Sequence, residues 1–268
     1  MVKRTYRLAL IATVVSLLLM NSPLFASETD DRIEASAKRS YVFQTYLKGD
    51  DISIQSKNGD VTLTGTVSDG SNKLLARETV ASLPGVKSVD NKLKIKGDIP
   101  AEFSDAWLIT KVKTTLLFHR NVNALGTEVL AEKGVVTLRG EAASIAQKDL
   151  TTEYAKDLDG VKIVKNEMTV AAPQVKKAEK TIDEKVDAMN ESIDDASITA
   201  LVKTTLLYHR STSAIKTTVE TKDWVVRLSG KVTNASEKDL ATKLVSDVYS
   251  VTKVVNNMTV GVAESKTK

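Results

Sequence analysis

The feature that most constrains the fold of this chain is a motif that occurs three times. In each copy a run of alternating apolar and polar residues ends in a glycine, and an asparagine follows that glycine 26 residues later with no gap needed. The glycines are Gly65, Gly140 and Gly230, and the asparagines are Asn91, Asn166 and Asn256. Copies two and three share more, since KTTLLFHR at 113–120 recurs as KTTLLYHR at 203–210. Such repetition predicts similar folded units in tandem.

Each copy has the pattern of helix, strand, strand, helix, strand. In copy two the first helix carries Leu108, Val112 and Leu116, a spacing of four that keeps one helix face apolar. In copy one, Asn58-Gly59 separates two alternating runs, and this residue pair is typical of a type I′ hairpin turn. With a right-handed crossover from the second strand to the third, each unit is an α+β domain: a three-stranded mixed sheet packed against two helices.

The repeated glycine and the residues after it predict local structure. A glycine inside a strand marks a bulge or a close backbone approach, and we expect the following helix to be the element that approaches. A residue with a side-chain oxygen stands four positions later in every copy, where it can cap the second helix. These residues are Asp69, Ser144 and Asn234. We therefore assign structural roles to the repeated glycines and asparagines.

The domains follow at 31–96, 104–171 and 194–261, and the join between the second and third is longer than the first join. Within it, Val175, Ala178, Ile182, Val186, Met189 and Ile193 recur at spacings of three and four. This stripe predicts a helical linker over 172–193. The stripe either packs on the protein's own domains or forms a seam through which two chains self-associate over 175–193.

Residues 1–26 are typical of a secretory signal peptide. Lys3, Arg4 and Arg7 form a basic start, an uncharged apolar run follows, and Ala26 supplies a small residue at the expected cut. The apolar run is too short to span a bilayer, and no cysteine is present for lipid attachment. We expect a mature protein that begins at Ser27, is soluble and resides in the periplasm.

The search for chemistry is mostly negative. With no cysteine among 268 residues, disulfide scaffolds, thiol enzymes and cysteine zinc sites are excluded. Loss of the leader lowers the net charge from +4 to +1, which leaves no overall basic character for nucleic acid. His119 and His209 occupy equivalent places at the end of the first helix, and we interpret them as cations favoured by the helix dipole rather than as metal ligands. We expect no cofactor, no metal and no enzymatic activity.

Two tryptophans suggest a contact surface. Trp107 lies beside the apolar stripe of its helix, and its counterpart in copy three is Ser197, a residue that we do not expect in a core. With Phe103 before it and Lys111 and Lys113 after it, Trp107 would form an apolar tip with basic neighbours, which suits weak, peripheral contact with an anionic membrane. Trp224 takes the place of a glycine at a hairpin turn of copy three. The alternative is that either tryptophan packs against a neighbouring domain.

The repeat as a whole resembles the BON domain, through the strand that ends in Gly65 or Gly140, a Gly-Val step 20 residues later, and the following asparagine. Copy three has Ser250 in place of the second glycine. The resemblance covers nearly the whole mature chain. It implies a non-catalytic envelope protein that binds phospholipid in an osmotic or envelope stress response. The alternative that it implies is a chaperone-like protein that binds unfolded exported or outer-membrane proteins.

Overall fold

The computed structural model describes residues 23–97, 100–170, 193–212 and 216–261. The linker stripe lies outside these residues except for Ile193, and most of the predicted leader lies outside them as well. The first described helix begins at Pro23 and continues through the expected cleavage position after Ala26. Leader cleavage and self-association through 175–193 therefore stay predictions.

The described residues form three α+β units with the predicted order of elements. The helices are α1 Pro23–Arg39, α2 Tyr41–Thr45, α3 Gly70–Ala81, α4 Asp105–Phe118, α5 Ile145–Lys156, α6 Asp195–Tyr208 and α7 Ala235–Ser246. The strands are β1 Asp51–Lys57, β2 Asp60–Val67, β3 Ser88–Asn91, β4 Lys94–Ile95, β5 Thr127–Glu132, β6 Val135–Ala142, β7 Ile163–Asn166, β8 Thr169–Val170, β9 Lys216–Lys222, β10 Val225–Val232, β11 Lys253–Asn256 and β12 Thr259–Val260. Domain 1 comprises α1 to β4, domain 2 comprises α4 to β8, and domain 3 comprises α6 to β12.

Each sheet is mixed, which confirms the predicted fold class. In domain 2 the hairpin strands β5 and β6 pair antiparallel, and β7 then pairs with β6 in parallel after the α5 crossover. The third strand resumes after a two-residue break as a short strand on the same neighbour, so each sheet counts four strands. The predicted caps are also confirmed, since Asp69, Ser144 and Asn234 each accept a hydrogen bond from a backbone amide of the first helical turn.

The repeated asparagine sits at the break in the third strand. The side-chain amide of Asn256 donates to the carbonyl of Lys238 on α7 at 2.9 Å and to Thr242 Oγ1 at 2.8 Å. Its side-chain oxygen accepts from the backbone amide of Met258 at 3.0 Å. Asn166 makes the equivalent three bonds in domain 2. The asparagine thus joins the end of β11 to the second helix and pairs the backbone that the break leaves without a ladder partner.

We expect Asn256→Ala to lower the free energy of unfolding by about 2–3 kcal/mol, because it leaves the backbone amide of the buried Met258 without its partner and removes the bonds that join β11 to α7. The neighbouring Asn257 is exposed and supplies the matched control. Asn257→Ala should change stability by less than about 0.5 kcal/mol. Urea unfolding of the two variants measures the difference, and equal stability would contradict the structural role of Asn256.

The repeated glycines meet a different element from the one predicted. A Cβ on Gly140 would lie 2.0 Å from the carbonyl oxygen of Gly126, at the entry to the hairpin partner β5, and Gly65 and Gly230 have the same relation to Asp51 and Lys216. The expectation that the following helix makes the close approach is therefore wrong. The reason is that β6 pairs with β5 at Gly140, and a glycine at φ +129° leaves room there for the backbone of the neighbouring strand.

The three domains are not separate along the chain but pack against one another. Domains 1 and 3 share one hydrophobic core, in which α3 packs along α6 and Phe118 enters from domain 2. Lys203 of α6 contacts Glu78 of α3 at 3.2 Å. Domain 2 meets domain 3 through the ends of their helices, where isolated bridges join His119 to Val248 and Leu158 to His209. Surfaces that would be exposed in an isolated unit are thus buried between units.

Candidate functional site

Trp107 and Phe103 form an aromatic pair at the start of α4. The hydroxyl of Ser104 caps the helix by accepting from the amide of Trp107, and Phe103, just before the cap, has a positive φ of 63°. The two rings meet edge to face with centroids 5.2 Å apart. Phe103 keeps 52% of its surface exposed, whereas Trp107 is partly buried. The pair therefore has one ring facing solvent and one ring facing inward.

Lys111 lies one turn along the helix from Trp107. Its ammonium is 4.4 Å from the Trp107 ring centroid and 5.1 Å from that of Tyr208 in domain 3. Burial lowers the pKa of Lys111, although the nearby Asp159 and Glu102 oppose the shift. A cation held over two rings gains a favourable interaction with their faces.

Lys113 does not join this group. Residues two apart on a helix point in different directions, and Lys113 is exposed on another side of α4. The predicted pair of basic neighbours is therefore wrong in one member: Lys111 adjoins Trp107 and Lys113 turns away from it.

A cavity of about 430 Å³ opens beside Trp107 and Lys111 where all three domains meet. Domain 1 contributes the start of α3 and Ile95, domain 2 contributes Trp107, Thr110 and Lys111, and domain 3 contributes Tyr208. The Tyr208 hydroxyl donates to Ser71 Oγ at 2.6 Å and closes one side. Trp107 is accordingly neither a core residue of domain 2 nor a tip that stands free in solvent: it lines the wall of an interdomain cavity.

The expectation that Ser197 lies outside a core is wrong. Ser197 is fully buried, although we expected a serine to exclude a core position. Its hydroxyl donates to Asp194 at 2.7 Å and accepts from the amide of Val42 in domain 1 at 3.1 Å. A small residue is needed there because α2 of domain 1 packs against this end of α6. The equivalent end of α4 faces the cavity instead and accommodates Trp107.

Trp224 has its own neighbours. It is 41% exposed at the β9–β10 turn, and its indole nitrogen donates to the carbonyl of Ile193 at 3.0 Å. Its φ of 60° is the left-handed conformation that a glycine provides at the same place in domain 2. The turn therefore anchors the start of domain 3, and Trp224 supplies a separate half-exposed aromatic ring.

The structure brings together two residues that the sequence analysis kept apart. His119 and His209 are both fully buried, and their Nε2 atoms are 3.1 Å apart at the junction of domains 2 and 3. The interpretation of both residues as simple helix-end cations is wrong, because each ring is buried and contacts the other. Burial lowers the pKa of His119. The signal available in the sequence was the coincidence of these histidines with Asp157 and Asp247, a combination that copies two and three share and copy one lacks.

Among the described residues, no group of three or more histidine, cysteine, aspartate or glutamate side chains is arranged to hold a metal ion. No helix within the described ranges has the length and apolar character to cross a membrane.

Known proteins resemble this chain over much of its length. It is 32% identical over 143 residues to the osmotically-inducible protein Y of Escherichia coli (strain K12), covering 52% of this chain and 71% of that protein. It is 29% identical over 138 residues to the outer membrane lipoprotein DolP of Haemophilus influenzae, covering 50% and 71%. It is 32% identical over 117 residues to the 21 kDa hemolysin of Actinobacillus pleuropneumoniae, covering 42% and 60%.

The repeat is matched by a family model as well. The BON domain model matches three times, at residues 29–97, 104–172 and 194–262, which together make up most of the chain. These ranges contain the three sheets and their helices, each with its strand glycine and its strand-end asparagine. This chain belongs to the BON-domain family and carries three copies of the domain.

Proposed function

We propose that this chain is a non-catalytic protein of the periplasm that binds anionic phospholipid in an osmotic or envelope stress response. The observation that carries the proposal is the Lys111 ammonium held against Trp107, with the half-exposed Phe103 and a cavity beside it. Apolar residues such as Ile95 and Pro100 line this cavity together with polar ones such as Asp69 and Ser71. Two relatives support the setting by their names, since one is called osmotically inducible and the other an outer membrane lipoprotein.

The geometry suits a lipid headgroup and the carbons next to it. An interfacial aromatic ring contacts the boundary between headgroup and acyl chain, and a cation beside it attracts the phosphate. Burial makes the charged form of Lys111 less favourable in the free protein. A phosphate at this position would supply the counter-charge and favour that form again.

Binding at this site should be weak and reversible. Burial of the exposed parts of the Phe103 and Trp107 rings contributes about 1–3 kcal/mol, and one lysine near an anionic surface adds about 1 kcal/mol. With a mature charge near neutrality, the rest of the protein adds little general attraction. The free energy of membrane binding therefore comes from the local group of Phe103, Trp107 and Lys111.

We expect the full mature chain to co-sediment with vesicles that contain anionic phospholipid and to do so less with zwitterionic vesicles. Trp107→Ala should weaken this binding about tenfold or more, because it removes an apolar contact and the ring beside which the Lys111 ammonium is held. It should also lower the thermal midpoint, since the partly buried ring packs against the core of domain 2. Lys111→Ala should weaken it about fivefold. Sedimentation at several lipid concentrations measures both.

Two matched control variants distinguish binding at this site from nonspecific binding to vesicles. Trp224→Ala removes the other tryptophan, and Lys113→Ala removes the nearby lysine that points away. Both should bind vesicles within about twofold of the parent chain. Normal vesicle binding by Trp107→Ala would contradict the proposed site. If the parent chain fails to bind vesicles and instead prevents aggregation of a denatured outer-membrane protein, the chaperone-like function replaces the lipid proposal.

A further inference from the structure

Domains 2 and 3 meet through two equivalent sets of residues. The amide of Arg120 donates to the carbonyl of Asp247 at 3.0 Å, and the amide of Arg210 donates to the carbonyl of Asp157 at 2.7 Å. Each residue of one domain thus has its counterpart in the other, as in the isologous interface of a twofold dimer. The two histidines lie at the centre of this arrangement.

Each imidazole has two neighbours that belong to the other domain. His119 Nδ1 lies 3.3 Å from an Asp247 carboxylate oxygen, and His209 Nδ1 lies 3.3 Å from an Asp157 carboxylate oxygen. The two Nε2 atoms face each other at 3.1 Å. The pair therefore spans the interface from one aspartate to the other.

The two ends of this chain of contacts differ. The Tyr154 ring stacks on His119 at 3.8 Å, and its hydroxyl donates to Asp247 at 2.5 Å, whereas Leu244 occupies the equivalent place in domain 3. The side-chain amide of Asn121 also donates to Asp247. Because Asp247 already has these donors, it does not depend on His119 Nδ1, which makes no well-aligned hydrogen bond.

At the other end, Asp157 depends on domain 3. It accepts from His209 Nδ1 and from the hydroxyl of Ser211 at 2.5 Å. Burial alone would raise the pKa of Asp157, but these hydrogen bonds outweigh burial and hold it below its ordinary value. Asp157 therefore stays ionised and keeps a proton on His209 Nδ1.

Other charged and ionisable groups surround the pair from both domains. They are Arg120 after α4, Glu153, Tyr154, Lys156 and Asp157 in and after α5, Arg210 after α6, and Lys243 and Asp247 in and after α7. Arg120 donates to the carbonyls of Ser246 and Val251, and Arg210 donates to the carbonyl of Lys156. Both arginines thus donate to backbone oxygens, and the imidazoles are in contact with the carboxylates of Asp157 and Asp247 and with the ring of Tyr154.

The geometry of the closed His119–His209 pair limits how many protons it can hold. Two nitrogens 3.1 Å apart form a hydrogen bond only when one of them carries a hydrogen and the other offers a lone pair. His119 Nε2 can donate to His209 Nε2, and His209 Nδ1 then donates to Asp157. A second hydrogen, on His209 Nε2, would point directly at the first and add a second charge in a buried site.

We propose that the His119–His209 pair is a proton-sensitive joint that holds domain 2 on domain 3 while a single hydrogen lies between the two Nε2 atoms. Uptake of a second hydrogen at this position requires the two domains to part. Mild acidification therefore favours the parted form over the closed form.

The direction and size of the pH effect on this equilibrium follow from the number of protons that each form binds. An imidazole in water has a pKa of about 6.5, so both histidines of the parted form are protonated at pH 5. In the closed form one of those protons can lie on His119 Nδ1, beside the Asp247 carboxylate, and the other is excluded. The form that binds more protons gains as pH falls. For one excluded proton, the equilibrium constant for parting rises about 30-fold between pH 7.5 and pH 5.0.

Amide hydrogen exchange of the full chain tests the joint, because the Arg120 and Arg210 amides bond across the interface. After correction for intrinsic exchange rates, their protection should fall about 30-fold from pH 7.5 to pH 5.0. The reference is the amide of Glu167, which bonds to Leu138 inside domain 2 and should keep its protection. The chain has two histidines, so no other imidazole titrates in this range.

His119→Gln supplies the matched variant. A glutamine side chain can turn its carbonyl toward His209 Nε2 and accept its hydrogen, so a protonated His209 fits the closed interface. The fall in protection of the two arginine amides should therefore shrink to less than about threefold. If this variant does not fold, His209→Gln applies the same test from the other domain.

Three results would overturn the proposal. The first is unchanged protection of both arginine amides across the pH range in the parent chain. The second is an undiminished fall in the glutamine variant. The third is a parallel loss of protection at Glu167, which would mean that the whole domain unfolds rather than parts from its neighbour.

Discussion

Gly140→Ala should be among the most destabilising single changes in this chain, with a loss of about 3–4 kcal/mol in the free energy of unfolding. The added Cβ would lie 2.0 Å from the carbonyl oxygen of Gly126, and an alanine would also have to adopt a φ of +129°. Neither strain is relieved by rotation of a side chain, since both involve backbone atoms. The central strand must shift and lose part of its pairing with β5.

Gly49 provides the matched substitution. It lies in an exposed turn of domain 1, and a Cβ there would have no atom within 4 Å. Gly49→Ala should leave the free energy of unfolding within about 0.5 kcal/mol of the parent value. Denaturant unfolding of the full chain compares the two, and similar stabilities would show that β5 and β6 do not pair as described.

Phe118→Ala should cost about 3–5 kcal/mol and should weaken all three domains together. Phe118 ends the first helix of domain 2, yet its fully buried ring lies in the core shared by domains 1 and 3. It meets the ring of Tyr46 edge to face at 5.6 Å. Truncation therefore leaves a cavity at the place where the domains join rather than inside domain 2 alone.

Leu125 is the control for this experiment, because it is a large apolar residue of the same domain that is 93% exposed. Leu125→Ala should change stability by less than about 0.5 kcal/mol. Calorimetry of Phe118→Ala should show a lower midpoint for the transition that includes domains 1 and 3. A midpoint lowered for domain 2 alone would argue against the shared core.

Local features of the fold could be predicted because they depend on neighbours in the sequence. The caps at Asp69, Ser144 and Asn234 need only an oxygen near the first helical amides, and the Asn58-Gly59 turn needs only positive φ at both residues. Apolar spacing identified the buried face of α4 for the same reason. The repetition of all these signals three times made the domain order and the family recognisable.

The contacts of individual side chains with other strands and domains could not be predicted in the same way. The strand glycine was recognised as special, but its neighbour proved to be the hairpin partner, since the approach of one strand's backbone to another depends on how the sheet is assembled. Ser197 looked unsuited to a core because nothing in its own repeat shows that α2 of domain 1 packs there. Trp107, its counterpart, faces a cavity that exists only once three domains have met.

The sequence by itself determined three α+β units, because the periods and caps that define each unit are local and occur in every copy. The tertiary structure alone decided which residues of those units contact one another. His119 and His209 are 90 residues apart, and the short distance between their Nε2 atoms comes from docking of domain 2 on domain 3. Helix periodicity places a residue on a face, whereas contact between faces of different domains depends on the complementary shape and hydrogen bonding of both surfaces.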